Sequence, residues 1–124
     1  MNVLVDTSIW VNHFRSGNSH LQDLLDNTEV VCHPLVIGEL ACGNLKKRKE
    51  ILALLAALPM APEVDHEEAL EFTEINKLMG KGIGFIDVML LASSRLSALP
   101  IWTNDSKLKE AAQKLNISYK HRRS

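Results

Sequence analysis

Four acidic residues, Asp6, Glu39, Asp87 and Asp105, stand where the surrounding sequence is otherwise uncharged. Segments 1–14, 30–45, 82–94 and 96–106 hold 54 residues but only these four of the chain's 29 Lys, Arg, Asp and Glu; the other 70 residues hold 25. A lone carboxylate in an apolar segment is costly to bury unless something compensates it. Glu39 and Asp87 have no Lys or Arg three or four positions away, so a local helical ion pair does not account for them. Helix capping accounts for Asp6 and Asp105 as well as a functional role does, Lys109 offers Asp105 an i,i+4 partner, and a first helical turn suits Asp87. If the four converge, protons or a hard cation must relieve their repulsion. An oxygen-only donor set favours Mg²⁺ or Mn²⁺ over zinc. A carboxylate-held Mg²⁺ that keeps several waters suits phosphodiester hydrolysis, because it neutralises the phosphate, generates hydroxide and steadies the leaving oxygen. The chemistry expected of such a site is that of a nuclease.

Convergence needs elements that aim all four acids at one place. The apolar run 2–6 reads as a buried strand that feeds a helix through Thr7-Ser8, and Trp10 and Phe14, four apart, mark its core face. Leu21, Leu24 and Leu25 mark a second helix after the break at 16–18. Strand 29–32 follows, then a helix from Pro34 to about 44 and a Leu-rich helix over 45–58. A short extended segment is expected at 63–65, a surface helix over 66–79 and an apolar helix over 85–96. Strand 100–102, a helix over 106–115 and a last strand at 117–119 complete the chain. Strands alternating with helices predict a single α/β domain over 1–124, with a parallel sheet covered on both faces. In such sheets, sites form beyond the carboxyl ends of the strands. Asp6 and Asp105 each follow a strand and should share that edge.

At these residues the chain resembles the PIN-domain ribonucleases, and within them the small VapC-type toxins of bacterial toxin–antitoxin pairs. The resemblance rests on Val5-Asp6-Thr7-Ser8, on Leu35 to Glu39, on Gly84-Phe85-Ile86-Asp87 and on Thr103-Asn104-Asp105, with acid spacings of 33, 48 and 18 residues. It spans nearly the whole chain. It implies a PIN-like three-layer α/β fold and a Mg²⁺-dependent RNA-cleaving site made by Asp6, Glu39, Asp87 and Asp105. Thr103 would orient a carboxylate or water. It also implies a homodimer and inhibition by a cognate antitoxin.

Composition narrows the field. With 14 Lys and Arg against 15 Asp and Glu, the net charge of −1 argues against a strongly basic DNA-coating protein, and 46% hydrophobic residues exclude intrinsic disorder. The longest uncharged apolar stretch, 51–62, is too short for the ~20 residues of a membrane span, and no basic region precedes the apolar start. The expected location is the cytosol. Cys32 and Cys42 lack metal-ligand spacing and read as reduced, buried thiols; the five histidines read as core or surface residues. Two basic runs, Lys46-Lys47-Arg48-Lys49 and Lys120-His121-Arg122-Arg123, read equally as solvated ends and as phosphate contacts. The loop Gly80-Lys81-Gly82-Ile83-Gly84 has no Walker lysine and follows no strand, so it reads as a turn that lets Asp87 reach the site. Competing functions are a phosphatase or phospho-acceptor using Asp6, a PIN-like RNA-processing nuclease without an antitoxin, and a non-catalytic interaction module whose acids only cap helices. Ser8 stands where a haloacid-dehalogenase-like phosphatase would carry a second Asp. The paired early acids and late lysine of a receiver domain are absent.

Overall fold

The computed structural model describes residues 1–121. Val3-Leu4-Val5 is strand β1 (Val3–Val5), and all three residues are fully buried. Because alternate side chains of a strand point to opposite faces, burial of all three requires helices on both sides of the sheet. β1 lies between β2 (Val30–Val31) and β3 (Ile101–Trp102), and both pairings are parallel. Seven helices among the described residues connect and cover them: α1 (Thr7–Ser16), α2 (Ser19–Asp26), α3 (Pro34–Ala41), α4 (Arg48–Ala56), α5 (His66–Ile75), α6 (Phe85–Ser97) and α7 (Ser106–Lys114). The chain passes from β1 outward to β2 and returns across the sheet to β3, as an α/β fold requires. No described helix is long and apolar enough to cross a membrane.

Several boundaries differ from the sequence expectation. The Leu-rich helix begins at Arg48 rather than 45, because Lys47 takes a left-handed conformation (φ 52°) and offers no side-chain cap. No strand forms at 63–65. Instead, Met60 makes a single parallel bridge to Cys32 on the β2 side. The last strand shrinks to one bridge, Ile101 to Ser118. Trp10 is buried, but Phe14 is 36% exposed and stacks on Trp10 with ring centroids 5.8 Å apart. Cys32 is a buried free thiol, whereas Cys42, at the end of α3, is exposed. Of the second basic run, Arg122 and Arg123 lie outside the described residues.

One buried polar contact ties two of these helices together. His33 is fully buried and caps α3: its Nδ1 accepts from the Leu35 backbone N–H at 3.0 Å. A ring nitrogen that accepts carries no proton, so in the neutral ring Nε2–H donates to Ser93 Oγ on α6, 3.1 Å away. This contact fixes the start of α3, which carries Glu39, against the middle of α6, which carries Asp87. Ser93→Ala orphans a buried N–H and is expected to cost about 1–3 kcal/mol, read from denaturant midpoints above neutral pH. Burial holds the His33 imidazole below its ordinary 6.5. Its stabilising contribution is therefore expected to be complete above pH 6.5 and to be lost as pH falls further, a slope that His33→Asn should reduce.

Candidate functional site

The reversal of strand order places a crevice beyond the carboxyl ends of β1 and β3, the usual location of sites in open parallel sheets. Asp6 follows β1 directly, and Thr103 follows β3. Their side chains meet there: Thr103 Oγ1 donates to Asp6 Oδ2 at 2.7 Å, and Asp6 is 5% exposed. Ser8 Oγ donates to the same oxygen at 2.8 Å, and the Ser8 backbone N–H approaches it at 3.3 Å. Each hydroxyl also accepts a backbone N–H from the β3–α7 turn, Ser8 Oγ from Asn104 at 2.9 Å and Thr103 Oγ1 from Asp105 at 3.0 Å. The two hydroxyls lie 3.2 Å apart, but both protons are committed to Asp6, so this contact adds no further bond. Asp6 Oδ1 stays outside the network.

Asp105 caps α7, its Oδ1 accepting from the backbone N–H groups of Lys107 and Leu108 at 2.9 and 3.1 Å. Asp6 caps α1 in the same sense. The capping role considered for both is therefore real, while the i,i+4 pair with Lys109 does not form among the described residues. Glu39 caps no helix, whereas Asp87, the third residue of α6, accepts from the backbone of Gly84, the residue that caps that helix. Glu39 lies exposed in the second turn of α3 and accepts from Thr7 Oγ1 at 2.7 Å. Asp87 is half-buried in the first turn of α6.

Asp87 registers the other three acids. Its carboxyl is pushed up from 3.8 to about 6, first by burial, then by the charge of Asp6 and, more weakly, by Asp105 and Glu39; a hydrogen bond to the Gly84 backbone opposes the shift. Four segments far apart in sequence thus contribute to one negative field, which the N-termini of α1, α6 and α7 partly offset. Among the described residues no three His, Cys, Asp or Glu side chains close into a metal-binding cage, so the acids act on one another without forming a tight cluster. The ion pairs among those residues, Met1–Glu29 and Glu110–Lys114, involve none of the four.

The hydroxyls of Thr7 and Ser8 were legible in the sequence only as helix caps. Thr7 holds Glu39 from 32 residues away, and Ser8, beyond its local bond to Asp6, meets Thr103 and Asn104 at separations of 95 and 96 residues; Thr7-Ser8 gives no local signal of these distant contacts. Beside Glu39 opens a groove of about 660 Å³ with Val11, Phe14, Leu40 and Ile51 in its walls. A larger depression near His20 and Tyr119 lies with Met1, Glu29 and Pro100 at the opposite ends of the strands, away from the acids.

The sequence matches the PIN domain family over residues 3–114. It is 42% identical over 117 residues to Ribonuclease VapC32 of Mycobacterium tuberculosis, in strains CDC 1551 and H37Rv, with 94% of each chain covered. Among solved structures, FitAcB from Neisseria gonorrhoeae aligns with a TM-score of 0.62 at 22% identity, covering 90% of this chain and 93% of that one. PAE2754 from Pyrobaculum aerophilum aligns with a TM-score of 0.61 at 16% identity, covering 93% and 86%. At those identities the two structures bear on the fold alone. The family match, nearly the whole described chain long, and the 42% identity lead to one conclusion: the chain belongs to the PIN domain family.

Proposed function

We propose that the chain is a metal-dependent endoribonuclease that hydrolyses RNA phosphodiester bonds, with Asp6, Glu39, Asp87 and Asp105 as its acidic set and Thr103 as the residue that orients Asp6. The observation that carries this reading is the grouping of the acids: Thr103 ties Asp6 to Asp105, and Asp87, raised first by burial, also feels Asp6, Asp105 and Glu39. The identity to a ribonuclease supplies the substrate class. A purely capping role suits Asp6 and Asp105 but leaves Glu39 unexplained, and it does not account for placing Asp87, half-buried, in the field of the other acids.

The donor set fits a hard divalent cation. All four ligands offered are carboxylates, and Mg²⁺ characteristically takes one or two carboxylates and keeps several waters, so a closed protein cage is not required. PIN-domain VapC ribonucleases are generally divalent-metal dependent, and Mg²⁺ or Mn²⁺ is the ion proposed for this chain. When bound, the ion would neutralise the scissile phosphate and activate water. The raised Asp87 carboxyl favours its protonated form in the metal-free protein, and a bound cation would favour the ionised one. Thr103 and Ser8 fix Asp6 Oδ2, which leaves Oδ1 as the oxygen presented to the site.

The same reading makes the chain the cytoplasmic toxin of a toxin–antitoxin pair and a homodimer, both following the family resemblance. The groove beside Glu39 supports the antitoxin. Val11 and Phe14 expose 39% and 36% of their surface there, enough to seat the apolar side of an amphipathic helix whose Arg or Lys would reach the acids. The Leu-rich helix α4 offers no comparable surface. There Leu55 is buried and Ile51, Leu52 and Leu58 pack against the core, leaving Leu54 at 61% exposure.

Cleavage of single-stranded RNA by the purified chain, dependent on Mg²⁺ or Mn²⁺ and abolished by chelator, is the direct test; no cleavage with either ion would overturn the reading. Asp87→Asn is expected to abolish cleavage while leaving the metal-free fold equally or more stable. The sign follows from the raised carboxyl: between pH 3.8 and about 6 the native state holds a proton that the unfolded chain releases, so metal-free stability falls as pH rises through that window. Thermal melts in chelator should show that component in the wild type and not in Asp87→Asn. Thr103→Val removes one donor from Asp6 and the acceptor of the Asp105 N–H. It is expected to cost about 1–3 kcal/mol and to lower cleavage at saturating metal, whereas Thr103→Ser retains both.

A further inference from the structure

The segments that lead into Asp87 and out of Asp105 also wall a basic cleft. A cavity of about 530 Å³ lies between the turn that joins α5 to α6 and one face of α7. Lys107, Glu110 and Lys114 recur on α7 at three- and four-residue spacing and therefore share that face, while Lys77 and Lys81 line the opposite wall. Four lysines thus meet a single carboxylate, and Glu110 is already engaged by Lys114 at 3.6 Å. The local charge is +3 in a chain whose net charge is −1. Among the described residues, Lys77, Lys81 and Lys107 take part in no ion pair.

The walls of the cleft are the segments that deliver Asp87 and Asp105. The turn runs through Lys81 into Gly84, which opens α6 three residues before Asp87. Lys107 lies two residues beyond Asp105 and donates its backbone N–H to that carboxylate. Gly82 takes φ 78°, a conformation disfavoured with a side chain, and a Cβ there would sit 3.5 Å from Lys107 Cδ. The turn backbone therefore backs the methylenes of Lys107.

We propose that this cleft seats the phosphates of the RNA strand on one side of the scissile bond, with Lys81 and Lys107 as positioning residues; the inference rests on the ribonuclease reading above. Carboxylates repel a polyanion, and a metal-bearing acidic site needs attraction nearby to bring the strand in. Lys107 and Lys114 are separated by seven residues, or about 10 Å along α7 at ~1.5 Å per residue. That length matches about three nucleotides stacked at ~3.4 Å each. Lysine meets phosphate as a point charge and reads no base edge, so the contact holds the strand independently of its sequence.

The test uses the full chain carrying Asp87→Asn to stop turnover, and a fluorescent single-stranded RNA of mixed sequence, titrated by anisotropy over a range of salt. Lys81→Gln with Lys107→Gln is expected to weaken binding and to lower the slope of log K against log salt by about 0.7 per lost phosphate contact. The Lys→Arg pair should restore both. In the cleaving background the Gln pair should raise KM and leave kcat little changed, a split that a folding defect would not produce. Lys109→Gln removes a charge of α7 outside the cleft and should leave the slope unchanged. An unchanged slope in the cleft variant, or an equal fall in the control, would overturn the proposal. An unchanged slope together with lost binding of poly-glutamate would assign the cleft to an acidic protein. If the chain with its cleft intact binds no RNA at all, the ribonuclease reading itself fails.

Discussion

A single hydroxyl connects the ends of two parallel strands. Thr103 Oγ1 donates to Asp6 across the crevice and accepts the N–H of Asp105, so the residue after β1, the residue after β3 and the cap of α7 are held by one atom. Ser8 repeats the pattern from the other side, donating to the same Asp6 oxygen and accepting from Asn104. Charge-assisted bonds of this kind are stronger than neutral ones. They allow a nearly buried carboxylate to persist at the edge of an apolar core. The directions of α1 and α7 are set by the same contacts, since Asp6 and Asp105 begin those helices.

Around that anchor the fold concentrates charge of one sign, and no ion pair among the described residues neutralises it. Asp87 stands in the field of three other acids, and the four lysines of the cleft line a cavity to which none of those acids contributes. This arrangement runs against folding stability, and the stability has to come from elsewhere. Much of it comes from the fully buried β1 and from the apolar residues Leu90 and Leu91 on the inner side of α6. The His33–Ser93 contact adds a directional element, locking α3 to α6 at the level of the core. A rigid interior thus supports a surface region that is electrostatically unsatisfied, as expected where binding rather than stability has shaped the residues.

The acids were legible in the sequence because each is the lone charge of an apolar segment, and β1 and α6 were legible because their apolar runs are uninterrupted. The hydroxyls that hold the acids were not, because Thr7 and Ser8 read as ordinary helix-start residues and the distant partners, Glu39 for Thr7 and Thr103 and Asn104 for Ser8, leave no local trace. The start of α4 was missed for a backbone reason: the left-handed Lys47 delays the helix without a glycine or a capping side chain to announce it. The extended segment at 63–65 was misplaced because Pro59 and Pro62 frame Met60, and Met60 alone reaches Cys32. Short edge pairings of this kind depend on one or two backbone bonds, too few to impose a pattern on the side chains.

Those edges have a consequence for assembly. Among the described residues, the sheet continues beyond β2 through the Met60 bridge alone and beyond β3 through Ser118 alone. Edges this short offer little backbone for an added strand to pair with. Recognition of a partner therefore falls to the side chains on the helices and in the grooves rather than to an extended sheet.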